Sequence, residues 1–222
     1  RTVSTSVLAA IHTLNRLECV GEAMRHALNV LAVAAPDWLR ALTPPEWVER
    51  YGHRFDDYQL PQGKPERYAL AETIGADGFR LLDAVYAPEA PLFLRELPVV
   101  QVLRAIWIQQ FYAPNGPIRW RIAEDLPPAT LAIRSPYDHE ARFATKRHKY
   151  WTGYRVHFTE TCDDDLPRLI TDVQTTTAPI SDYELLPNIR ASLATKDLLP
   201  TEHLADGGYV SVEQLLTSVR DY

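Results

Sequence analysis

The chain has 222 residues, 46% of them hydrophobic, and a formal net charge of −6, which supplies a core for one large domain or two small ones and argues against a wholly basic nucleic-acid binder. No apolar run reaches the roughly 18 residues of a membrane span and no signal-peptide succession opens the chain, so a cytoplasmic protein that does not enter a membrane is expected. Cys19 and Cys162 lack any metal-ligand spacing, which indicates neither a disulfide framework nor a zinc site. A start on Arg1 and a stop at Asp221-Tyr222 read as the cut ends of something longer.

In chain order, apolar residues Ile11, Leu14, Leu17, Met24, Leu28 and Leu31 recur at helical steps between Val7 and Ala35 and predict one long helix bounded by Pro36. Thr43-Pro44-Pro45-Glu46 has the spacing of a capping box with proline in the first turn, opening a short helix through Trp47 and Tyr51. Lys64 to Tyr86 is again helical in pattern, with an interruption expected near Gly75, and Val99, Leu103, Ile106, Trp107, Gln110 and Phe111 define a further helix whose Trp107 and Phe111 belong in a core. Segment 113–128 reads as a connector with turns.

Strands are expected after it. In 150–161, Tyr154, Val156 and Phe158 alternate with Arg155, His157 and Thr159, the period of a half-buried strand, and 168–177 forms a hairpin with it across the Asp163-Asp164-Asp165 turn. Ser181 and Glu184 have capping-box spacing for a helix through Leu185, Ile189 and Leu193 that Pro187 must bend or delay. Glu202 to Ala205 follows as a short strand, and Ser211 caps a final helix carrying Val212, Leu215, Leu216 and Val219.

Chemistry has few places to reside. Asp206, after the short strand, stands where a carboxylate on rigid backbone can reach a hard divalent cation, although Asp206-Gly207-Gly208 alone reads first as a turn. Between Arg134 and Arg155, six cations face only Asp138 and Glu140, a local balance of +4. Arg142, Lys146, Arg147, Lys149 and Arg155, interleaved with Phe143, Tyr150 and Trp151, suit DNA phosphates; a solvated charged loop is the alternative. Asp138 reads as a loop-stabilising residue before a metal ligand, the three consecutive aspartates as a solvated turn, and His157 as structural or DNA-facing.

Several segments together resemble bacterial insertion-sequence transposases of the DDE class. RTVSTSVLAAIHTLNRLE (1–18) resembles the opening catalytic strand and the following helix; SPYDHEARFATKR (135–147), WTGYRVHFTET (151–161), LITDVQTTT (169–177) and EHLADGGYVSVEQLL (202–216) are similar to later blocks, in the same order. The resemblance implies an α+β, RNase H-like mixed sheet with residues 1–6 as its first strand, a helical insertion over 7–112, and the remaining core over 113–222, incomplete at its C-terminus. It implies metal-dependent DNA cleavage and strand transfer with Mg²⁺ or Mn²⁺, DNA as partner, and a homo-oligomer in a transposition complex. The second catalytic Asp maps onto Asp206, the first onto Val3 of Val3-Ser4-Thr5, where these transposases carry Asp-Ser-Thr, and the catalytic Glu lies beyond Tyr222. Valine cannot bind Mg²⁺, so an inactive fragment is expected. The alternatives are a non-catalytic DNA-binding or oligomerisation remnant and an unrelated nuclease on an RNase H-like core. Two juxtapositions are required by the transposase topology: 1–6 beside 151–161, and Val3 beside Asp206.

Overall fold

The computed structural model describes all residues except 11–13, 114–115, 147, 166, 215 and 217–222. In chain order its elements are strand β1 (Thr2–Leu8), helices α1 (Arg16–Ala34), α2 (Pro36–Leu42), α3 (Pro45–Tyr51), α4 (Lys64–Tyr86) and α5 (Pro98–Gln110), strands β2 (Phe111–Tyr112), β3 (Arg119–Trp120), β4 (Arg142–Lys146), β5 (Lys149–Glu160) and β6 (Ile170–Thr177), and helix α6 (Asp182–Thr195). The fold is mixed α+β with antiparallel sheets. It divides into a helical unit, Ala10–His139, and a sheet unit formed by Arg1–Ala9 with Glu140–Tyr222.

In the helical unit, α1 is shorter than its apolar periodicity predicts. The first strand, expected over 1–6, runs on through Val7 and Leu8, because the β-branched side chains of Thr2–Leu8 suit a pleated surface and their backbone finds a partner in β5. The helix begins after Asn15, whose Oδ1 accepts from the Leu17 and Glu18 amides at 3.0 Å each while Glu18 Oε2 accepts from the Asn15 amide at 2.7 Å. That reciprocal box, Asn15-Arg16-Leu17-Glu18, is the true start signal. Thr43 makes no such box: its hydroxyl donates back to Leu39 O at the end of α2, and α3 starts on Pro45 without a side-chain cap.

The helix α4 runs through Gly75 without interruption. Glycine is there for close packing, since a Cβ at Gly75 would stand 2.7 Å from the Phe111 ring and one at Gly78 would stand 2.1 Å from Trp107. Trp107 Nε1 donates to Gly75 O at 2.9 Å, which satisfies the indole inside the apolar cluster. Trp107 and Phe111 are buried, as expected of core residues. The connector does not belong with the strands that follow it. Residues 113–139 group with the helices, where Trp120 and Ile133 join the same apolar cluster, so the boundary falls at 139/140 and not at 112/113.

In the sheet unit β5 is central. One edge carries β1, from Thr2↔Thr159 to Leu8↔Gly153; the other carries β4 along its first half and β6 along its second. Chain segment 1–8 thus lies beside 153–159 across more than a hundred intervening residues. The helix α6 starts at Asp182 and contains Pro187 without delay. After it the chain returns alongside β1, where the Thr2 amide donates to Leu204 O at 2.8 Å and Thr2 bridges Ala205 in parallel. Residues 202–205 therefore make a single bridge and not a strand. Asp206 then caps a one-turn 3-10 helix, Gly207–Tyr209. The Gln214 amide donates to Ser211 Oγ at 3.2 Å, while Leu215 and Val219, expected in the last helix, lie outside the described residues.

Candidate functional site

The alternation along β5 is as expected, but its buried side is the polar one. Arg155, His157 and Thr159 are buried, and Tyr154, Val156 and Phe158 are only half-buried. Tyr209 and the α6 residues Leu185, Leu186, Ile189 and Leu193 form an apolar cluster; α6 packs on β6, and Tyr209 covers His157 of the polar side. A polar row under such a cover persists only when its groups are paired, and three sets of partners supply the pairing.

The first set centres on Asp182, on the first turn of α6. Arg155 Nη1 donates to Asp182 Oδ1 at 3.0 Å and to Ile180 O at 2.8 Å. Lys146 Nζ stands 3.6 Å from Asp182 Oδ2, and His157 Nδ1 lies 4.0 Å from Oδ1. The same His157 nitrogen is 2.6 Å from the Tyr209 hydroxyl, with the rings edge to face. Burial pushes the His157 pKa below its ordinary value; Asp182 opposes this, while Arg155 and Lys146 push the same way. Burial, with Asp182, pushes the Tyr209 phenol up to about 12. Gly208 belongs to the same set: a Cβ there would stand 2.9 Å from Asp182 Oδ2, so the second glycine after Asp206 admits the carboxylate.

The second set joins β1 to β5 and the returning chain. Thr2 Oγ1 lies 2.8 Å from Thr159 Oγ1 and 2.7 Å from His203 Nε2, and burial lowers the His203 pKa. The third set holds Asp172 of β6 between Lys196 Nζ, Ser192 Oγ at 2.7 Å and Gln174 Nε2 at 3.1 Å. Burial would raise the Asp172 carboxyl, but those donors hold it below its ordinary value.

Val3 and Asp206 are each one residue beyond the parallel Thr2–Ala205 bridge, and bridged positions in parallel neighbours face the same way. Both are exposed. Val3 offers only methyl groups, so this juncture carries one carboxylate where a pair of divalent ions needs several, and the residues present do not fit a two-metal centre. No group of three His, Cys, Asp or Glu able to hold an ion occurs among the described residues. Asp138 belongs to the helical unit and Asp206 to the sheet unit, and Asp163 to Asp165 form an exposed turn.

The basic stretch separates into two environments. Lys146 and Lys149 flank the turn of the β4–β5 hairpin and are exposed, Arg142 is half-buried, and Arg147 lies outside the described residues. Tyr150 is 77% exposed and stacks on Phe143 with centroids 6.4 Å apart. Arg155 does not belong with them. Its side chain is 10% exposed and held by Asp182, which corrects its assignment to a phosphate-binding surface: strand parity turns it toward α6. Sequence reading missed Asp182 and Tyr209 as partners of the β5 row and His203 as the partner of Thr2. Asp182 follows Ser181 in a recognised capping box, but nothing local says that its side chain turns inward.

No helix among the described residues is long and apolar enough to cross a membrane. Comparison with protein-family models, with curated proteins and with solved structures finds no match.

Proposed function

We propose that this chain is an RNase H-like core of a DDE-class insertion-sequence transposase that binds DNA through the β4–β5 hairpin and has lost cleavage. The observation that carries this reading is the parallel Thr2–Ala205 bridge, which brings the Val3 position beside Asp206. An opening strand beside 151–161 and an Asp directly after a backbone bridge to that opening strand suit such a core, and the quoted sequence blocks occur in the matching order. The exposed Lys146 and Lys149, with the Phe143–Tyr150 stack, suit phosphates and bases of either strand form without sequence readout. Loss of cleavage follows from Val3, because a single exposed carboxylate leaves a divalent ion largely hydrated.

The test is isothermal titration of Mn²⁺ into the original protein and into Val3→Asp, with nicking of supercoiled DNA assayed alongside. Tighter binding in Val3→Asp, without nicking by the original, is expected. Equal affinity in the two proteins removes the pairing of positions 3 and 206, and metal-dependent nicking by the original places the catalytic acids elsewhere.

A further inference from the structure

Within the helical unit a cavity of about 280 Å³ opens beside the first turn of α1. Leu14, Leu126, Pro127 and Ile133 give it an apolar wall, and Arg16 and Arg134 both line it. No Asp or Glu is among its lining residues as described. Arg16 lies with its guanidinium carbon 4.3 Å over the Trp120 ring, its Nε donating to Gln110 Oε1 at 2.9 Å and its Nη2 to Arg121 O at 2.8 Å. Both acceptors are neutral. They orient the planar fork without cancelling its charge, and they leave further N–H groups of the guanidinium unused.

Cys19, which also lines the cavity, adds no charge to it. Cys19 is buried, and burial pushes its thiol up to about 12 against the opposing pull of Arg134, so the sulfur is neutral at physiological pH. Burial also presses the Arg16 pKa downward, the mark of a cation partly withdrawn from water. An anion entering such a space is attracted more strongly than in bulk solvent, and a guanidinium fork matches the oxygens of a phosphate in two parallel hydrogen bonds. An apolar wall with a few convergent polar groups is the usual construction of a small-molecule site.

We infer that this cavity binds a small phosphate monoester with an apolar body, its phosphate taken by Arg16 and Arg134 and its body laid against Leu126 and Ile133. The site is independent of the DNA reading: it lies in the other unit and uses none of the hairpin residues. The cavity volume admits a single ring with its phosphate.

The probe is phenyl phosphate, with benzyl alcohol as its uncharged counterpart, titrated calorimetrically into the full chain while tryptophan emission is followed. Saturable binding of phenyl phosphate, perturbing emission through Trp120, is expected, with benzyl alcohol weaker by about tenfold or more. Arg16→Gln and Arg134→Gln, each checked for an unchanged circular dichroism spectrum, should each weaken phenyl phosphate by about tenfold and leave benzyl alcohol unaffected. Absence of saturable binding up to about 10 mM, equal binding of the two probes, or unchanged phenyl phosphate affinity in a folded variant overturns the assignment. The comparison of the two probes on the original protein decides the matter even if neither variant folds.

Discussion

The helical unit buries one apolar cluster that runs from Leu17 through Trp47, Leu81 and Leu103 to Trp107 and Ile133. Among its described residues the sheet unit has only the small groups around Ile189 and Trp151, and it buries Arg155, His157, Thr159, Asp172 and Asp182. The two regions therefore depend on different physics. Apolar burial is non-directional and tolerates rearrangement, whereas a buried ion pair is stable only while both partners and their hydrogen bonds are in place. The sheet unit gains little net stability from such pairs, but they hold the Gly207–Tyr209 turn, and with it Asp206, against β5.

The largest expected effects test this contrast directly. Asp182→Ala leaves Arg155 buried without a counter-charge and should cost about 3–5 kcal/mol. Trp107→Ala, which leaves a void in the helical cluster, should cost a similar ~3–5 kcal/mol. Hydrogen exchange separates them: the first variant loses protection in α6 and β5, the second in α4 and α5. Replacing both partners, Arg155→Met with Asp182→Leu, should recover most of the Asp182→Ala loss, while no second substitution of similar simplicity refills the Trp107 site. Loss of protection spread evenly over both units in either variant would remove the distinction.

Glycine substitutions have a smaller effect. Gly78→Ala drives a methyl into Trp107 and should cost about 1–3 kcal/mol in urea unfolding. Gly207→Ala meets nothing within 4 Å and should stay within about 0.5 kcal/mol.

Acidification acts on the sheet unit through His157 and His203, whose folded pKa values both lie below the unfolded value. Below the unfolded pKa the unfolded chain binds the protons first. The stability contributed by the neutral rings is therefore complete above about pH 6.5 and falls as pH drops through the folded values. Denaturant midpoints between pH 8 and pH 5 should decline, and His157→Gln should flatten the decline. Asp172, depressed in the same sense, adds its loss only below its ordinary carboxylate range.

The smallest stability effects belong to the hairpin. Lys149→Ala should change stability by about 0.5 kcal/mol or less and Lys146→Ala, which also removes a contact with Asp182, by about 1 kcal/mol or less, while each lowers the slope of log affinity for DNA against log salt by about one. Unchanged slopes would remove the hairpin from the DNA surface.

Helical periodicity located α4 and α5, proline in the first turn marked α3 although the Thr43 box does not form, and period-two alternation located β5 and its hairpin with β6, because each signal is carried by neighbours within one element. The Ser181–Glu184 box marked the start of α6 for the same reason. The resemblance also put positions 3 and 206 in proximity. The β-branched opening 2–8 was harder to read from local pattern: the resemblance assigned 1–6 to the first strand, but Val7 and Leu8 could be counted into the helical period that follows, and only pairing with β5 assigns those two to the sheet.

Alternation along β5 was visible in the sequence by itself, but not which side faces inward. A period of two is unchanged when the strand is turned over, and apolar residues normally identify the buried face. Here the tertiary structure reverses that choice. The row Arg155, His157, Thr159 is the buried one, and Asp182 and Tyr209 satisfy its Arg155 and His157 from 27 and 52 residues away. A buried charge is admissible only beside its partner, and when that partner is remote in the chain, no local pattern records the pairing.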